Sequence, residues 1–294
     1  MGAAINYIAV FVYPDIKCPF RGTMQMRSPG LSLAAYVDGL QGAGRYTLTA
    51  REARQATGLK KDTLQKAARR LVLARRLCSP REGFFVTVPL EYQSAGAPPP
   101  SWFIHDLMQF VGQPYYVGML SAAALHGAAH QQPQEFQVVT SLPLPSMHVG
   151  RARLRFVVKR KIEATPTLRL KTDTGSMAVS TPEVTALDLV SYVKACGGLG
   201  NVATVLAELS EKIDPTELVV AAQIDGERSV AQRLGYLLDV VLATDKAAAL
   251  ASWLAGQQTV YVPLRPTRKM RGHPKDDKWK VLVNAEVEPD EGVA

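Results

Sequence analysis

The chain has 294 residues, of which 47% are hydrophobic and 20% are charged, and this composition predicts an ordinary globular protein of about two domains. No stretch approaches the roughly 18 apolar residues of a membrane helix, and residues 5–13 lack the basic flank of a signal peptide. The three cysteines, Cys18, Cys78 and Cys196, have no paired spacing. This pattern excludes a disulfide scaffold and fits a reducing cytoplasm.

The excess positive charge lies in the first third of the chain. Residues 1–95 contain 14 Lys and Arg against 6 Asp and Glu, whereas residues 96–294 contain 20 of each. Residues 45–81 alone contain 11 basic and 2 acidic residues. Charge concentrated in this way predicts a polyanionic partner, and a basic surface kept for solubility is the alternative.

Composition divides the chain into four segments. The first has no periodicity that predicts a helix or strand, disorder is one interpretation of it, and Met24 or Met26 is a candidate for the true translation start. The sequence QSAGAPPPS predicts a proline-rich linker. The predicted segments are an N-terminal extension (1–28), a basic module (29–92), the linker (93–101) and an electrically neutral domain (102–294).

The basic module is predicted to contain three helices. The first covers residues 31–40. Thr49 and Glu52 have the spacing of a capping box at the start of the second helix, and Gly58 has the backbone freedom that ends it. A third helix is predicted over residues 61–73. Two short helices joined by a glycine-containing turn are typical of a helix-turn-helix.

The third predicted helix has two chemically different faces. At 100° per residue, the apolar stripe consists of Leu64, Ala67, Ala68, Leu71 and Val72. The opposite face consists of Lys61, Asp62, Gln65, Lys66 and Arg69. Such a face can enter the major groove of DNA, whereas an ordinary solvated surface is the alternative interpretation.

A basic hairpin is predicted after the third helix. Residues 78–89 (CSPREGFFVTVP) contain two β-prone stretches around Glu82 and Gly83, with Arg81 close to the turn. Three helices and this hairpin predict a winged helix-turn-helix. The predicted fold class is therefore α+β, with an N-terminal winged helix-turn-helix followed by a mixed α+β domain. Winged helices also bind proteins, so shape alone leaves the partner open.

The predicted DNA-binding residues have two roles. Base readout is assigned to Lys61, Thr63, Gln65, Lys66 and Arg69. Phosphate contacts are assigned to Arg75, Arg76, Arg81 and part of the third helix. Lys60 and Arg70 complete the predicted DNA-binding set.

The C-terminal domain has an α+β pattern of strands, then helices, then strands. Thr181 and Pro182 predict one helix start, and Asp214 and Pro215 predict another. The predicted helices cover 103–111, 117–126, 181–196, 201–213, a stretch after 215, 229–241 and a stretch from 244. The predicted strands cover 136–140, 152–158, 167–171, 259–264 and 278–284.

The sequence predicts no catalytic, cofactor-binding or metal-binding residues. It contains no nucleophile elbow, zinc-protease motif, Walker loop or dinucleotide fingerprint. The run of residues 197–200 (GGLG) is interpreted as a helix stop and a turn. His126 and His130 have helical spacing, but Gly127 interrupts them and no third metal ligand is near.

Several charged residues have a structural and a functional interpretation. Glu183 lies in the first turn of a predicted helix, where the helix dipole stabilises a carboxylate. Asp188 is interpreted as a buried partner of a distant arginine such as Arg233. The run Asp276, Asp277 and Lys278 resembles a nuclease signature, and a chance occurrence in a charged loop is the favoured interpretation. Two basic clusters have an open role, either on DNA or an acidic partner or as solvated faces. They are Arg151, Arg153 and Arg155 with residues 159–161, and Arg265, Arg268, Lys269 and Arg271.

Six motifs, the first at the end of the basic module and five after it, resemble those of one protein family. They are REGFFVTVP (81–89), YYVGMLSAAALHG (115–127), FQVVTS (136–141), STPEVTALDLV (180–190), RLGYLLD (233–239) and WKVLVN (279–284). Together and in this order they resemble the AbiEi-type antitoxins of bacterial type IV toxin–antitoxin systems, which act in abortive phage infection. The resemblance covers the chain from about residue 31 to its end.

The resemblance implies a cytoplasmic transcriptional repressor that binds inverted repeats of double-stranded DNA in its own promoter. It also implies a cognate nucleotidyltransferase-like toxin, no membrane association and no enzymatic activity. Carried over to this sequence, the recognition helix is residues 61–73 and the wing is about residues 79–88. Two other functions stay open at this point: an enzymatic C-terminal domain, such as a degenerate nuclease or a nucleotide-modifying domain, and a module that binds protein.

Overall fold

The N-terminal part of the chain folds as three helices and a three-stranded antiparallel sheet. In the computed structural model, which describes residues 31–128, 133–269 and 271–287, β3 is the central strand and pairs with β1 and β2. The predicted N-terminal extension, Cys18, Met24, Met26 and His130 lie outside the described residues. The elements are α1 (Leu33–Gly42), β1 (Thr47–Thr49), α2 (Ala50–Thr57), α3 (Lys61–Leu73), β2 (Leu77–Arg81) and β3 (Phe84–Thr87).

Local sequence chemistry determines the ends of these helices. The Thr49 hydroxyl accepts the Glu52 N–H at 3.1 Å, and the Glu52 carboxylate accepts the Thr49 N–H at 2.9 Å, which confirms the capping box. Gly58 ends α2 with a φ of 69°. Helix α3 has the predicted bounds, although Val72 is 38% exposed, so its placement in the apolar stripe was wrong.

The C-terminal part contains seven helices and nine strands among the described residues. The helices are α4 (Ile104–Val111), α5 (Met119–Leu125), α6 (Pro182–Ser191), α7 (Leu199–Leu209), α8 (Pro215–Asp225), α9 (Arg228–Val240) and α10 (Thr244–Ala255). The first six strands are β4 (Tyr115–Val117), β5 (Phe136–Thr140), β6 (Met147–Val149), β7 (Ala152–Val158), β8 (Thr167–Thr172) and β9 (Gly175–Ser180). The last three are β10 (Val262–Pro263), β11 (Lys275–Asp276) and β12 (Val281–Leu282).

A six-stranded mixed sheet separates two hydrophobic cores. Its order is β6-β7-β5-β4-β9-β8, with parallel pairs β5–β7 and β4–β9. Side chains alternate along each strand, so Tyr116 and Val139 face a core shared with α6 to α10. Their neighbours Val117 and Val138 face a second core that contains α4. The predicted α+β class is therefore observed.

The N-terminal sheet shares this second core. Phe84 and Val86 of β3 are buried together with Leu107 of α4 and Val149 of β6. The aromatic rings of Phe84 and Phe110 lie 5.4 Å apart between centroids. Apolar side chains of β3 thus join the basic module directly to the C-terminal part.

The predicted linker is packed against the protein rather than extended into solvent. Ala97 is 5% exposed, and the Ala95 carbonyl accepts the Arg151 N–H at 2.8 Å. The rings of Tyr92 and Trp102, on either side of this segment, lie 5.2 Å apart. Small and proline-rich composition predicted no such anchors, because the contacts come from residues distant in sequence. The predicted domain boundaries stay a prediction.

Short strands account for most of the differences from the predicted elements. The helix predicted over residues 117–126 is β4 followed by α5, and β1, β6, β9 and β11 were not predicted. The helix predicted over residues 181–196 ends at Ser191, and a 3-10 turn covers Val193–Cys196. Strands of two to six residues depend on distant pairing partners for their stability. No helix of the described ranges has both the length and the apolar character that crossing a membrane requires.

Candidate nucleic-acid interface

Helix α3 presents a continuous polar face to solvent. Leu64, Ala68 and Leu71 are buried and fix the opposite side of the helix against α1 and α2. Lys60 precedes the helix with an extended backbone and is exposed. The remaining predicted contact residues of this helix are all exposed: Lys61, Thr63, Gln65, Lys66, Arg69 and Arg70. The structure therefore places one predicted set of side chains on one accessible surface.

Most cations of this surface have no acidic partner within the part of the chain that the structure describes. Ion pairs there do not include Lys61, Lys66, Arg69 or Arg70. A surface of uncompensated cations attracts phosphates over a distance set by ionic strength. The α3 face is thus exposed and cationic, and its role on DNA stays a prediction.

The three predicted phosphate contacts outside α3 have different surroundings. Arg75 is exposed and has a φ of 53° just after the helix. Arg76 is half-buried, and its guanidinium forms an ion pair with Asp38 of α1. Arg81 is exposed beside the turn of the β2–β3 hairpin. Arg76 alone of the three is therefore partly neutralised within the described residues.

The hairpin turn is held by both parts of the protein. The Gly83 carbonyl accepts the N–H of Ala50, at the start of α2, at 2.8 Å. The Phe110 ring of α4 lies against the same turn, 3.5 Å from the position that a Cβ on Gly83 would occupy. The wing predicted from the sequence is consequently a short hairpin with its turn fixed between α2 and α4.

Helix α2 adds two exposed cations that the residue-level prediction omitted. Arg51 and Arg54 are exposed on this helix, next to the predicted recognition helix in sequence. The excess of basic residues over positions 45–81 includes both arginines and could have identified them. Arg45, in contrast, pairs with Glu52 at 2.8 Å, and the hydrogen bond that its guanidinium donates to this carboxylate raises the pKa of Arg45.

A buried ionic cluster lies where the large sheet meets the helices. The Lys159 ammonium, after β7, lies 2.8 Å from Asp188 of α6 and 2.9 Å from Asp225 of α8. The Tyr116 hydroxyl donates to the other Asp188 oxygen at 2.8 Å. Burial lowers the pKa of Lys159, but the two carboxylates raise it more, so the net pKa is raised. The same cluster, chiefly through burial, raises the pKa of Tyr116.

This cluster corrects the partner predicted for Asp188. The carboxylate is fully buried as expected, but its cation is Lys159 and not Arg233. The Arg233 Nε–H instead donates to the carbonyl of Pro263 at 2.9 Å. The sequence could not distinguish the two cations, because the choice depends on which loop ends beside α6.

The other acidic candidates have structural contacts. Glu183 is 6% exposed and accepts the Asp214 N–H at 3.0 Å, which joins the start of α6 to the start of α8. Asp276 accepts the Trp279 N–H at 2.7 Å. Asp277 accepts the Tyr261 hydroxyl, and Lys278 pairs with Asp239 at 2.6 Å. These groups are engaged in fixing backbone and side chains.

The metal and phosphate-loop candidates also have local contacts. The His126 Nε2 lies 2.8 Å from the Ser180 carbonyl oxygen. Gly197 closes a 3-10 turn and α7 begins at Leu199, so the glycine run is the predicted helix stop and turn. Within the described ranges, no three His, Cys, Asp or Glu side chains are grouped closely enough to hold a metal ion.

The two basic clusters of the C-terminal part differ in charge compensation. Arg153 and Arg155 share the Glu135 carboxylate, at 3.3 and 3.1 Å respectively. Lys159 belongs to the buried ionic cluster. The second cluster is exposed at its described positions, which are Arg265, Arg268, Lys269 and Arg271.

Comparisons with known proteins find a family model that matches much of the sheet-and-helix part. The model of the AbiEi antitoxin C-terminal domain matches residues 116–240, which contain the buried ionic cluster. The crystal structure of the RV2827C protein from Mycobacterium tuberculosis is similar to this fold, with a TM-score of 0.62 and 16% sequence identity. The similarity covers 87% of this chain and 94% of that one. No curated protein matches the sequence.

The family match confirms the resemblance found in the sequence motifs. An antitoxin domain indicates an antitoxin role within a toxin–antitoxin pair and a toxin as its partner. Three of the six motifs, those at residues 136–141, 180–190 and 233–239, lie wholly inside the matched segment. Residues 116–240 of this chain therefore match the model of the AbiEi antitoxin C-terminal domain.

Proposed function

We propose that this protein is a cytoplasmic, non-enzymatic antitoxin that binds operator DNA in its own promoter and represses transcription. Residues 29–92 act as a winged helix-turn-helix, with α3 as the recognition helix and the β2–β3 hairpin as a short wing. By limiting expression, and through its AbiEi domain, the protein restrains a nucleotidyltransferase-like toxin.

The observation that carries this proposal is the uncompensated cationic face of α3. Lys61, Lys66, Arg69 and Arg70 project from a helix whose other side is anchored in the core of the module. Lysine and arginine contact guanine and phosphates, and Gln65 between them has the amide that pairs with adenine. The neighbouring AbiEi domain supports the interpretation of this surface as an operator-binding one.

The base-reading and phosphate-binding roles divide along this surface. Lys61, Thr63, Gln65, Lys66 and Arg69 read bases. Arg75, Arg76 and Arg81, with Lys60 and Arg70, bind the phosphates of the two strands. Phosphate contacts contribute most of the affinity and base contacts contribute the sequence preference.

The experiment is a binding titration of the full-length protein on the region upstream of its own gene and on a random duplex of equal length. We expect tighter binding to the upstream region, and an affinity that falls roughly 10³-fold or more between about 50 and 200 mM salt. Equal affinity for both duplexes, or an affinity independent of salt, would overturn the proposal. The triple variant K66A/R69A/R70A tests the assigned surface, and R228A on α9 is its matched control.

A further inference from the structure

A second basic site lies in the C-terminal part and is formed by residues that follow α3 in the chain. It is a cleft of about 700 Å³ between the end of β7, the connection from α6 to α7, helix α9 and the chain after β10. Four cationic side chains line it, and we refer to it as the arginine cleft: Arg155, Lys194, Arg233 and Arg265. No Asp or Glu is among the described residues that line it.

Three of these cations have no carboxylate partner in the described parts of the chain. Arg155 shares Glu135 with Arg153, but ion pairs there do not include Lys194, Arg233 or Arg265. Arg233 is half-buried, and its described hydrogen bond uses Nε on the Pro263 carbonyl. Burial of a guanidinium without a counter-ion costs free energy, and a bound anion would offset this cost.

The backbone at the start of α7, beside these side chains, also favours a bound anion. Gly197 and Gly198, with φ values of 81° and 103°, bring the chain to the start of α7 at the wall of the cleft. This 11-residue helix has no side-chain cap and no acidic residue in its first turn. Free N–H groups at a helix start and the positive end of its dipole favour phosphate.

Apart from Ser191 and Thr267, most of the remaining lining is apolar. Val157, Val190, Val193, Leu199, Leu264 and Pro266 contribute to the walls. The Tyr192 ring also lines the cleft, while its hydroxyl donates to the Val158 carbonyl at 2.9 Å. An inorganic anion has no apolar surface that could pack against these walls. A volume of this size with apolar walls and convergent cations suits an organic molecule that carries a charged group.

We propose that the arginine cleft binds an organic phosphate of nucleotide size. Arg233, Arg265 and Lys194 hold the phosphates together with the first turn of α7, and the apolar walls with Tyr192 hold the organic part. This site is separate from the operator-binding surface of α3 and is not required by the proposed function. Arg233 was expected to neutralise Asp188; because Lys159 does so instead, the guanidinium is available for a ligand.

The test is calorimetric titration of the full-length protein with the four ribonucleoside triphosphates, adenosine and inorganic pyrophosphate. We expect at least one triphosphate to bind below about 1 mM, and adenosine and pyrophosphate to bind much more weakly. The double variant K194A/R265A removes two exposed side chains and is expected to weaken triphosphate binding about tenfold or more. R233Q is a further variant, and R228A on the same helix α9 is the control that retains binding.

Four results of the titrations with the native protein and K194A/R265A would overturn the proposal. They are no triphosphate binding at about 1 mM, equal binding of adenosine, equal binding of pyrophosphate, and full retention of triphosphate binding in K194A/R265A. Loss of triphosphate binding in K66A/R69A/R70A alone would assign the nucleotide to the α3 face and also overturn it. A K194A/R265A variant that loses affinity for duplex DNA while no triphosphate binds would make the cleft part of the DNA surface. Circular dichroism spectra confirm that each variant is folded.

Discussion

The Lys159 ammonium lies 2.8 Å from the Asp188 carboxylate in the interior of the C-terminal part, and Asp188 is fully buried. Asp225 lies 2.9 Å from the same nitrogen, so one cation joins the end of a strand to two helices. Removing one member of a buried ion pair leaves an uncompensated charge in a place of low polarity. The cluster therefore holds the sheet and the helical layer together only when it is complete.

Lys159→Met is expected to lower the free energy of unfolding by about 3–5 kcal/mol, because Asp188 then keeps a buried negative charge without a cation. Urea unfolding followed by circular dichroism measures this change. The control Arg160→Met alters the adjacent, exposed residue and is expected to change stability by less than about 0.5 kcal/mol. Equal effects of the two variants would contradict the assigned role of the cluster.

Gly235→Ala is expected to destabilise the protein by more than about 2 kcal/mol. A Cβ at this position of α9 would lie 2.1 Å from the ring of Trp279, which is 1% exposed. Gly39→Ala is the matched control on helix α1, where a Cβ meets no atom within 4 Å. That control should leave stability unchanged or raise it by up to about 1 kcal/mol. Thermal unfolding of both variants measures the contrast, and a stable Gly235→Ala protein would disprove the packing argument.

Gln65→Ala is expected to reduce the preference for operator over random DNA. A side chain that pairs with a base contributes about 1–3 kcal/mol of discrimination and little to binding of random sequence. Competition titrations with the two duplexes give the ratio of affinities directly. If the variant loses affinity by the same factor on both duplexes, Gln65 contacts the DNA backbone rather than the bases.

Arg76→Ala is expected to weaken binding to both duplexes alike. The slope of log affinity against log salt concentration should fall by about 1, which corresponds to the loss of one phosphate contact. The structure adds a second variant, since Asp38 partly neutralises this guanidinium. Asp38→Ala should release Arg76 and leave DNA affinity equal or higher. The phosphate-contact role of Arg76 would be contradicted by a loss of DNA affinity in Asp38→Ala. A loss of affinity for the operator alone in Arg76→Ala would also contradict it. Either result would indicate that the ion pair stabilises the structure of the basic module.

Cys196 is expected to resist alkylation in the folded protein. Burial raises the pKa of its thiol to about 12, so the thiolate fraction at pH 8 is about 10⁻⁴. Because the folded pKa lies above the unfolded value, this thiol favours the folded state below about pH 9 and loses that effect as the pH rises toward 12. Iodoacetamide labelling with peptide mass spectrometry measures the rate. Comparable labelling of Cys196 in native and urea-unfolded protein would contradict this assignment.

Features determined by neighbouring residues could be predicted from the sequence. Thr49 with Glu52, Thr181 with Pro182 and Asp214 with Pro215 all begin helices as predicted, because each cap involves residues within three positions. The polar face of α3 was predictable for a similar reason. Helical geometry alone decides which of its side chains share a surface.

Features that depend on distant contacts could not be predicted. Strand β4 was assigned to a helix because its pairing with β5 and β9 connects residues far apart in the chain. The cation beside Asp188 is 29 residues away, and the acid beside Arg76 is 38 residues away. Uncompensated charge in the arginine cleft is a similar case, because the sequence shows which residues are charged but not which are paired.

The burial of Phe84 and Val86 beside α4 has a geometric consequence for the repression proposed above. If the basic module reads operator DNA as proposed, its attachment to the C-terminal part leaves it no freedom to reorient toward a second half-site. Two molecules on an inverted repeat would then tolerate changes in half-site separation only by whole turns of the double helix, about 10 base pairs. An operator lengthened by half a turn would place the two molecules on opposite sides of the DNA.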